Sequence, residues 1–361
     1  MDPLPIATPA LLIDVAQVDR NIRRVAGYAA RHDLEWRPHV KTHKSPWIAA
    51  HQLAGGATGL SCATPREAEV MREATDNMLL AYPPIGADRL RRTASLAASS
   101  RLGVMLDSPA SAEAMSVALH GTGASVRVLV ELDVGLKRTG VADVTEAIAL
   151  ATRIDGLPGL VFDGFGFYPG NTRSAGPESD PVLASLTAMI AELIEGAARV
   201  GLAVNTISCG STPLLWRSHE VVGTTEIRAG TAIYFDRTSV FGGVCGYDEC
   251  AATILTTVVS TAVPGQIVVD AGLKAVGREV VRGANAPGHA SVVGHPELAL
   301  VRPSEEHGII ELNDSTWRPA VGDQLRVIPN HICIAVHNFD EMHCMLGDGK
   351  FETLPVAARG R

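Results

Sequence analysis

The sequence predicts an α/β protein with a (β/α)8 barrel of the TIM type, followed by a C-terminal, mainly antiparallel β domain. Two observations predict this fold. In the first two thirds of the 361 residues, eight short β-branched or apolar segments alternate with Ala-rich segments of helical length. After Gly242 the sequence becomes rich in Thr, Val and Ile, and no helix-length amphipathic segment follows.

The strands and helices of the barrel are predicted to alternate regularly along the chain. The predicted strands are 36–40, 58–62, 77–81, 102–107, 126–134, 160–167, 204–209 and 225–233. The predicted helices are 18–31, 45–54, 65–75, 86–98, 109–119, 143–153, 181–201 and 213–221. Thr64-Pro65-Arg66-Glu67 gives a clear helix start, because it combines a capping box with proline at the first helical position. An open doubly wound sheet has the same alternation, but the count of eight and the lack of a GxGxxG motif in the first unit favour the barrel.

The β domain is predicted from short strand candidates separated by turns. These candidates are 251–263, 266–269, 309–312, 324–328 and 332–336. We therefore expect the barrel over residues 11–241 and the β domain over residues 242–361, to which residues 1–10 could be added.

Composition excludes several classes of protein. With 46% hydrophobic and 19% charged residues the chain is too apolar to be disordered, and no stretch reaches the ~18 uninterrupted apolar residues of a membrane-spanning helix. A net charge of −8 without a basic run argues against a nucleic-acid partner. Six sparse cysteines without a CxxC pair, and an N-terminus without a basic leader, favour a reduced, cytoplasmic protein.

Unusual polar residues follow five of the eight predicted strands. Active sites of such barrels lie at the carboxyl ends of the strands, so these segments are expected to form one site. The segments are RPHVKTHK at 37–44, DVGLKRTG at 133–140, GFYPG at 166–170, SCGST at 208–212 and EIRAGTAIY at 226–234.

The last two of these segments could hold a phosphate group. Gly210, Ser211 and Thr212 offer backbone N–H groups and hydroxyls after the seventh strand, and Gly230 and Thr231 do so after the eighth. A phosphate held between the last two strands recurs in barrels of this type. Two ordinary Gly/Ser turns are the alternative.

Lys41 is the candidate reactive residue of the first segment. It stands among Arg37, His39, His43 and Lys44. Neighbouring cations favour the neutral amine of a lysine, which can form a Schiff base. A solvated basic loop is the alternative. Together with a phosphate site, a lysine at a strand end suggests pyridoxal 5'-phosphate (PLP) as the cofactor.

His331 and Cys333 are a candidate metal pair in the β domain. In a strand, residues two apart face the same side, so both side chains could bind one ion. Imidazole and thiolate together suit zinc. A hydrogen-bonded histidine beside a buried thiol is the alternative.

Six motifs in this order resemble the D-serine dehydratase and D-threonine aldolase family over nearly the whole chain. These enzymes are fold-type III PLP proteins whose barrel is related to that of alanine racemase. The motifs are Thr8-Pro9-Ala10 with Asp14, RPHVKTHKS at 37–45, SCGSTP at 208–213, EIRAGT at 226–231, DAGLKA at 270–275 and PNHIC at 329–333.

The resemblance implies a role for each candidate residue. Lys41 is the Schiff-base lysine, Arg138 approaches the phenolic oxygen of the cofactor, and Tyr168 lies beside the cofactor ring. The phosphate site consists of Gly210, Ser211, Thr212, Gly230, Thr231 and Tyr234. His331 and Cys333 match the metal pair of the dehydratase branch. Because the aldolase branch usually has aspartate at the second position, Cys333 favours zinc, whereas an aldolase would use manganese or magnesium.

The resemblance also implies the reaction. We expect a PLP- and metal-dependent lyase that removes water from a D-β-hydroxy amino acid, such as D-serine or D-threo-3-hydroxyaspartate, and yields a 2-oxo acid and ammonia. Retro-aldol cleavage to glycine and an aldehyde is the first alternative, and racemisation is the second. We expect a cytoplasmic homodimer that binds a small-molecule substrate and neither nucleic acid nor membrane.

Overall fold

The computed structural model describes residues 4–281 and 286–360, which group into two compact units. The barrel unit contains Arg23–Gly230, and the β unit contains the chain up to Ile22 together with Thr231–Arg359. The expected domain limits, 11–241 and 242–361, differ from these units at both junctions, because residues 11–22 and 231–241 group with the β unit.

Strands and helices alternate through the barrel unit, and strands dominate the β unit. The strands are β1 (Ala10–Asp14), β2 (Glu35–Trp36), β3 (Leu60–Cys62), β4 (Asn77–Leu80), β5 (Arg101–Leu106), β6 (Val126–Leu132), β7 (Leu160–Phe167), β8 (Thr206–Cys209), β9 (Glu226–Ile227), β10 (Ala252–Ser260), β11 (Gln266–Val269), β12 (Ala290–Val292), β13 (His295–Leu300), β14 (Gly308–Glu311), β15 (Gln324–Pro329), β16 (Glu341–Leu346) and β17 (Lys350–Pro355). The helices are α1 (Val15–Arg31), α2 (Pro46–Ala54), α3 (Pro65–Met71), α4 (Ala87–Ala97), α5 (Pro109–Leu119), α6 (Val144–Asp155), α7 (Asp180–Arg199), α8 (Arg237–Phe241), α9 (Leu273–Val276) and α10 (Ile332–Asn338).

The barrel unit contains one parallel sheet with the strand order β2-β9-β8-β7-β6-β5-β4-β3. A parallel bridge between His39 and Ser61 joins the continuation of β2 to β3, and the N–H of Ser61 donates to the carbonyl oxygen of Pro38 at 2.9 Å. Because this bridge connects the two outer strands, the sheet closes on itself. The prediction of an eight-stranded barrel is confirmed.

Local signals in the sequence set where the barrel helices begin. At α3 the hydroxyl of Thr64 accepts the N–H of Glu67 at 3.2 Å, and Pro65 occupies the first turn. The side chains of Ser108 and Asp143 cap α5 and α6 in the same way. Each cap satisfies a backbone N–H that has no partner within the helix, so the chain enters each helix at a defined residue.

The segment Pro177–Arg199, which contains α7, is long and apolar enough to cross a membrane by length and composition alone. In the barrel unit Leu183, Leu186, Ile190 and Leu193 form the buried side of this helix, which packs along α6. A buried apolar stripe on a helix is the pattern of the core helix of a globular domain.

The β unit contains a nine-stranded sheet with the order β11-β14-β13-β12-β15-β10-β1-β16-β17. A further pairing of β10 with β11 closes its first six strands into a ring. All described pairs are antiparallel except β1 with β16. Since β1 lies between β10 and β16, the N-terminal segment that joins this unit extends beyond the ten residues considered from the sequence.

The expectation of a strand over 332–336 is wrong. These residues begin α10, and His331 is its N-cap. The carboxylate of Asp236 accepts the N–H of Ile332 at 3.2 Å, which satisfies a donor at the start of the helix. The β-branched pattern of this segment is that of a strand, but an acceptor distant in sequence decides its structure.

Candidate active site

Lys41 lies on the loop after β2, in a single turn of 3-10 helix over Val40–Thr42. Its backbone N–H donates to Nδ1 of His39 at 3.3 Å. The neighbouring Lys44 is buried and forms an ion pair with the buried carboxylate of Glu67. Lys44 is thereby engaged in a structural pair, whereas Lys41 is half-buried at the end of the strand. Lys41 is therefore the better candidate for an amine that reacts.

The expected cluster of cations around Lys41 is only partly present. Arg37 forms a buried ion pair with Glu226, with Nε 2.5 Å from Oε2. Burial lowers the pKa of His43 to about 3. Burial also lowers the pKa of His39 well below its usual value, and the charges of nearby lysines and arginines lower it further; these are Lys41, Arg228, Lys44 and Arg138. Both imidazoles are therefore neutral, and a neutral ring lies next to Lys41.

Arg138 and Tyr168 come together at the ends of two neighbouring strands, β6 and β7. The guanidinium carbon of Arg138 lies 5.2 Å from the centre of the Tyr168 ring. Asp133 fixes the loop that carries Arg138, because its Oδ1 accepts the N–H groups of Gly135 at 3.1 Å and Lys137 at 2.9 Å. The structure thus brings together two residues that lie thirty positions apart in the sequence.

The glycines after β8 and β9 are required by the backbone. Gly210 has a φ of +107°, which L side chains rarely adopt. At Gly230 a Cβ would lie 2.3 Å from the carbonyl oxygen of His39, so this backbone approaches the Lys41 loop closely. Ser211 lies between these glycines in sequence and is buried, and its Oγ has no hydrogen-bond partner in the described part of the chain.

The other two residues predicted for the phosphate site group with the β unit. Thr231 places its Oγ1 3.5 Å from Sγ of Cys333. Tyr234 is fully buried, and its hydroxyl has no partner among residues 4–281 and 286–360. Burial raises the pKa of Tyr234 well above its usual value, so this hydroxyl keeps its proton and can donate it in a hydrogen bond.

His331 and Cys333 lie side by side in the β unit, although they are not on a strand. Their side chains form a hydrogen bond, and Cys333 is buried in the first turn of α10. The negative charge of Cys333 raises the pKa of His331 well above its usual value, and the hydrogen bond to Asp236 acts in the same direction against burial. In the described residues no third His, Cys, Asp or Glu makes a cluster of three possible ligands.

Comparison with known proteins gives the same family that the motifs indicate. Residues 13–238 match the model of the alanine racemase N-terminal domain, and residues 251–345 match that of the serine dehydratase domain. A D-threonine aldolase from Arthrobacter is 30% identical over 99% of this chain and 94% of its own length. The D-threo-3-hydroxyaspartate dehydratase of Delftia is 30% identical over 97% of both chains. This chain belongs to the D-serine dehydratase and D-threonine aldolase family.

Solved structures of the family agree with the fold described above. The Delftia dehydratase superimposes with a TM-score of 0.90 and 30% identity, and the match covers 99% of both chains. A mutant of the same dehydratase has been solved in a metal-free form, with a TM-score of 0.89, 29% identity and 99% coverage of both chains. A D-threonine aldolase from Filomicrobium marinum superimposes with a TM-score of 0.89 and 30% identity over 98% of this chain and 96% of its own, so aldolases and dehydratases of the family share one architecture.

The donors in this family member fit a phosphate-bearing cofactor and a metal. The buried Oγ of Ser211 lacks a partner among the described residues, so this hydroxyl is available to a ligand. The Nδ1 of His331 is engaged by Asp236, which leaves Nε2 beside the thiol of Cys333. One nitrogen and one sulfur donor suit zinc and leave coordination positions open.

Two charged residues of this family member were missed in the sequence. Arg228 is buried at the end of β9, where Nη1 donates to Ser208 Oγ at 2.5 Å and Nη2 donates to the carbonyl oxygen of Phe167 at 2.9 Å. Asp236 lies 3.0 Å from His331 through Oδ2. Arg228 stands in the motif EIRAGT at 226–231, which was a usable signal, whereas nothing in the sequence links Asp236 to a residue 95 positions away.

Proposed function

We propose that this protein is a PLP- and zinc-dependent lyase of D-β-hydroxy amino acids, and that elimination of water is its main reaction. The observation that carries the proposal is the pair of His331 and Cys333, an imidazole and a thiol in contact with each other. A sulfur ligand favours zinc over the harder ions manganese and magnesium.

The barrel residues bind and orient the cofactor. Lys41 holds it through its amine, and Ser211 donates its free hydroxyl to the phosphate, with the backbone of Gly210 and Gly230 lying close. Arg138 would donate to the phenolic oxygen, and Tyr168, whose ring lies beneath the Arg138 guanidinium, would pack beside the cofactor ring. When bound, the cofactor supplies an electron sink for the charge that develops at the α-carbon of the substrate.

Lys41 also moves the proton in this proposal. With the cofactor bound, its Nζ would accept the proton from the α-carbon of the substrate. The neutral imidazole of His39 accepts the backbone N–H of Lys41 and therefore keeps the lysine at the strand end without adding a positive charge. The metal would be held by His331 and Cys333 and would stabilise negative charge on the β-hydroxyl oxygen.

Retro-aldol cleavage is the second candidate. The comparisons favour it as well, because the Arthrobacter aldolase is as similar to this chain as the Delftia dehydratase. Both reactions need the same cofactor and a charged β-oxygen, and they differ in the bond that breaks. Elimination breaks the bond between Cβ and oxygen, whereas aldol cleavage breaks the bond between Cα and Cβ.

Product analysis separates the two reactions. Purified protein loaded with PLP is incubated with D-serine, D-threonine or D-threo-3-hydroxyaspartate, with added zinc or with a chelator. The proposal predicts a 2-oxo acid and ammonia in equal amounts, with little glycine, and loss of the reaction in chelator. Glycine and an aldehyde as main products would establish the aldolase instead. A chelator-resistant conversion of D- to L-amino acid would establish a racemase.

We propose in addition that the enzyme is a homodimer and acts in the cytoplasm. The family resemblance supports the dimer, and light scattering of the purified holoenzyme tests it. None of the six cysteines, all within the described residues, forms a disulfide, which is usual in a reducing compartment.

A further inference from the structure

Glu131 is a buried carboxylate at the end of β6, with 4% of its surface exposed. Its Oε1 accepts the hydroxyl of Thr139 at 2.9 Å and lies 4.0 Å from Nη2 of Arg138. Its Oε2 is buried and has no hydrogen-bond partner within the described residues. A carboxylate oxygen in this state costs free energy, so it persists only where it has a further use.

Several charges surround this carboxylate. Burial raises the pKa of Glu131, and the negative charge of Asp107 acts in the same direction. Two effects oppose them and lower the pKa: the hydrogen bond from Thr139, and the positive charges of Arg228 and Arg138. Glu131 is therefore an acidic neighbour of both arginines, and their charges also reach His39, next to Lys41.

Arg138 needs such a partner because its side chain is half-exposed and long. Its side chain is 53% exposed and its guanidinium lies over Tyr168, and a flexible arginine adopts many rotamers unless something holds it. Thr139 and Arg138 are adjacent in one loop, so a single carboxylate contacts both. Glu131 thus connects the strand to the loop at the residue expected to face the cofactor.

We propose that Glu131 is a positioning residue that holds Arg138 towards the phenolic oxygen of the cofactor and balances its charge. This inference rests on the proposed function, because it assumes that PLP is bound at Lys41. Glu131 does not contact the reacting atoms in this proposal; it acts through Arg138.

The test compares four holoenzymes: the parent, Glu131→Gln, Glu131→Asp and Thr139→Val. Each is measured for the melting temperature, for kcat and KM, and for the pH midpoint of the visible absorbance of bound PLP. Glu131→Gln keeps the shape of the side chain and removes its negative charge. The positive charge of Arg138 is then no longer balanced and acts more strongly on the cofactor. We expect its absorbance midpoint to fall by about one pH unit and kcat to fall on the order of 10-fold, with little change in KM.

The two other variants are matched controls. Glu131→Asp keeps the charge, so its midpoint should stay near that of the parent while kcat falls because the side chain is shorter. Thr139→Val removes one donor to Oε1 and keeps the carboxylate, so it should leave the midpoint unchanged. If Glu131→Gln does not fold, the kcat of Glu131→Asp decides. The proposal would be overturned if Glu131→Asp and Thr139→Val both had the kcat and the absorbance midpoint of the parent.

The possible outcomes are distinct. A Glu131→Gln variant with a lower melting temperature but the midpoint and kcat of the parent would show a structural role only and overturn the inference. A parent protein without a visible PLP band would refute the proposed function itself. A parent with the band and a Glu131→Gln variant indistinguishable from it would refute only the role of Glu131.

Discussion

Asp236 sets the orientation of the His331 imidazole, with Oδ2 of Asp236 3.0 Å from Nδ1 of His331. Since a carboxylate accepts hydrogen bonds, Nδ1 donates, and Nε2 is the nitrogen left to bind a metal ion when the ring gives up its second proton. The other oxygen of Asp236, Oδ1, accepts the N–H of Ser239 at 2.9 Å and so caps α8. One buried carboxylate therefore fixes both a helix start and the tautomer of a candidate metal ligand.

Asp236→Asn should weaken zinc binding by roughly 10- to 100-fold, because a partner of a ligating histidine contributes that much to metal affinity. The amide oxygen can still accept the N–H of Ser239, but the amide NH2 group would then face the N–H of Ile332, so the melting temperature of the metal-free protein should fall as well. Competition with a chromogenic chelator measures the affinity. Ser239→Ala is the control, because it removes a hydroxyl that donates to Oδ1 and leaves Oδ2 intact. Equal zinc affinity in Asp236→Asn and the parent would contradict this role.

Ser211→Ala should weaken PLP binding without destabilising the protein. The Oγ of Ser211 has no partner among the described residues, so its removal costs no protein hydrogen bond. A hydrogen bond to a charged phosphate contributes about 1.5–3 kcal/mol, which corresponds to a loss of at least 10-fold in affinity. Ser218→Ala is the matched control, because that hydroxyl donates to the carbonyl oxygen of Leu214 at 3.1 Å and should affect the melting temperature instead. Fluorescence titration of the apoprotein with PLP measures the affinity.

Borohydride reduction of the holoenzyme should attach the cofactor to the peptide that contains Lys41. Lys44 is unsuited to this because Glu67 pairs with its amine in the interior. Lys41→Ala should bind PLP without a covalent bond and lose turnover, whereas Lys44→Met should lower stability and keep the label on Lys41. Mass spectrometry of the reduced, digested protein locates the label, and a label on Lys44 or Lys137 would exclude Lys41 as the attachment site.

The barrel could be predicted because its signals are local. Proline and capping residues such as Thr64 mark helix starts, and eight alternating segments give the architecture. The candidate residues after the strands were found by the same logic, since Arg138 and Tyr168 follow consecutive strands and meet at their ends. Their catalytic roles stay predictions.

Tertiary contacts decided what the sequence could not give. The pair His331 and Cys333 was expected to share one face of a strand, but the two residues meet at a helix start that Asp236 stabilises. The two residues do lie together as predicted, but the predicted strand is a helix start. Glu131 lies within the predicted strand 126–134 and was not singled out, because its unpaired oxygen is visible only when its surroundings are known.

Stability should fall in mild acid because His43 is buried in its neutral form. Burial lowers its pKa to about 3 in the folded protein, whereas an unfolded histidine has a pKa of about 6.5. Below pH 6.5 the unfolded chain binds a proton that the folded chain does not, so the free energy of unfolding decreases by up to about 1.4 kcal/mol per pH unit. His39 acts with the same sign. Urea unfolding at several pH values between 7.5 and 5 measures how the free energy of unfolding depends on pH. This dependence should be weaker in His43→Gln than in the parent. The control His120→Gln, at an exposed position, should show the same dependence as the parent.

Cys333 separates dehydration from aldol cleavage. Elimination requires stabilisation of negative charge on the departing oxygen, and a metal ion contributes several kcal/mol to it, so the loss of zinc should slow elimination on the order of 10³-fold. Cys333→Ala should keep the yellow colour and lose most of the zinc and the elimination activity. Exchange of the α-proton with deuterium should survive, because Lys41 and the cofactor perform it.

Cys333→Asp offers a harder ligand and should favour manganese or magnesium. We expect this variant to raise the ratio of glycine to 2-oxo acid among the products. Active parent enzyme without zinc, or water elimination by Cys333→Ala at the parent rate, would exclude the metal role and favour a racemase.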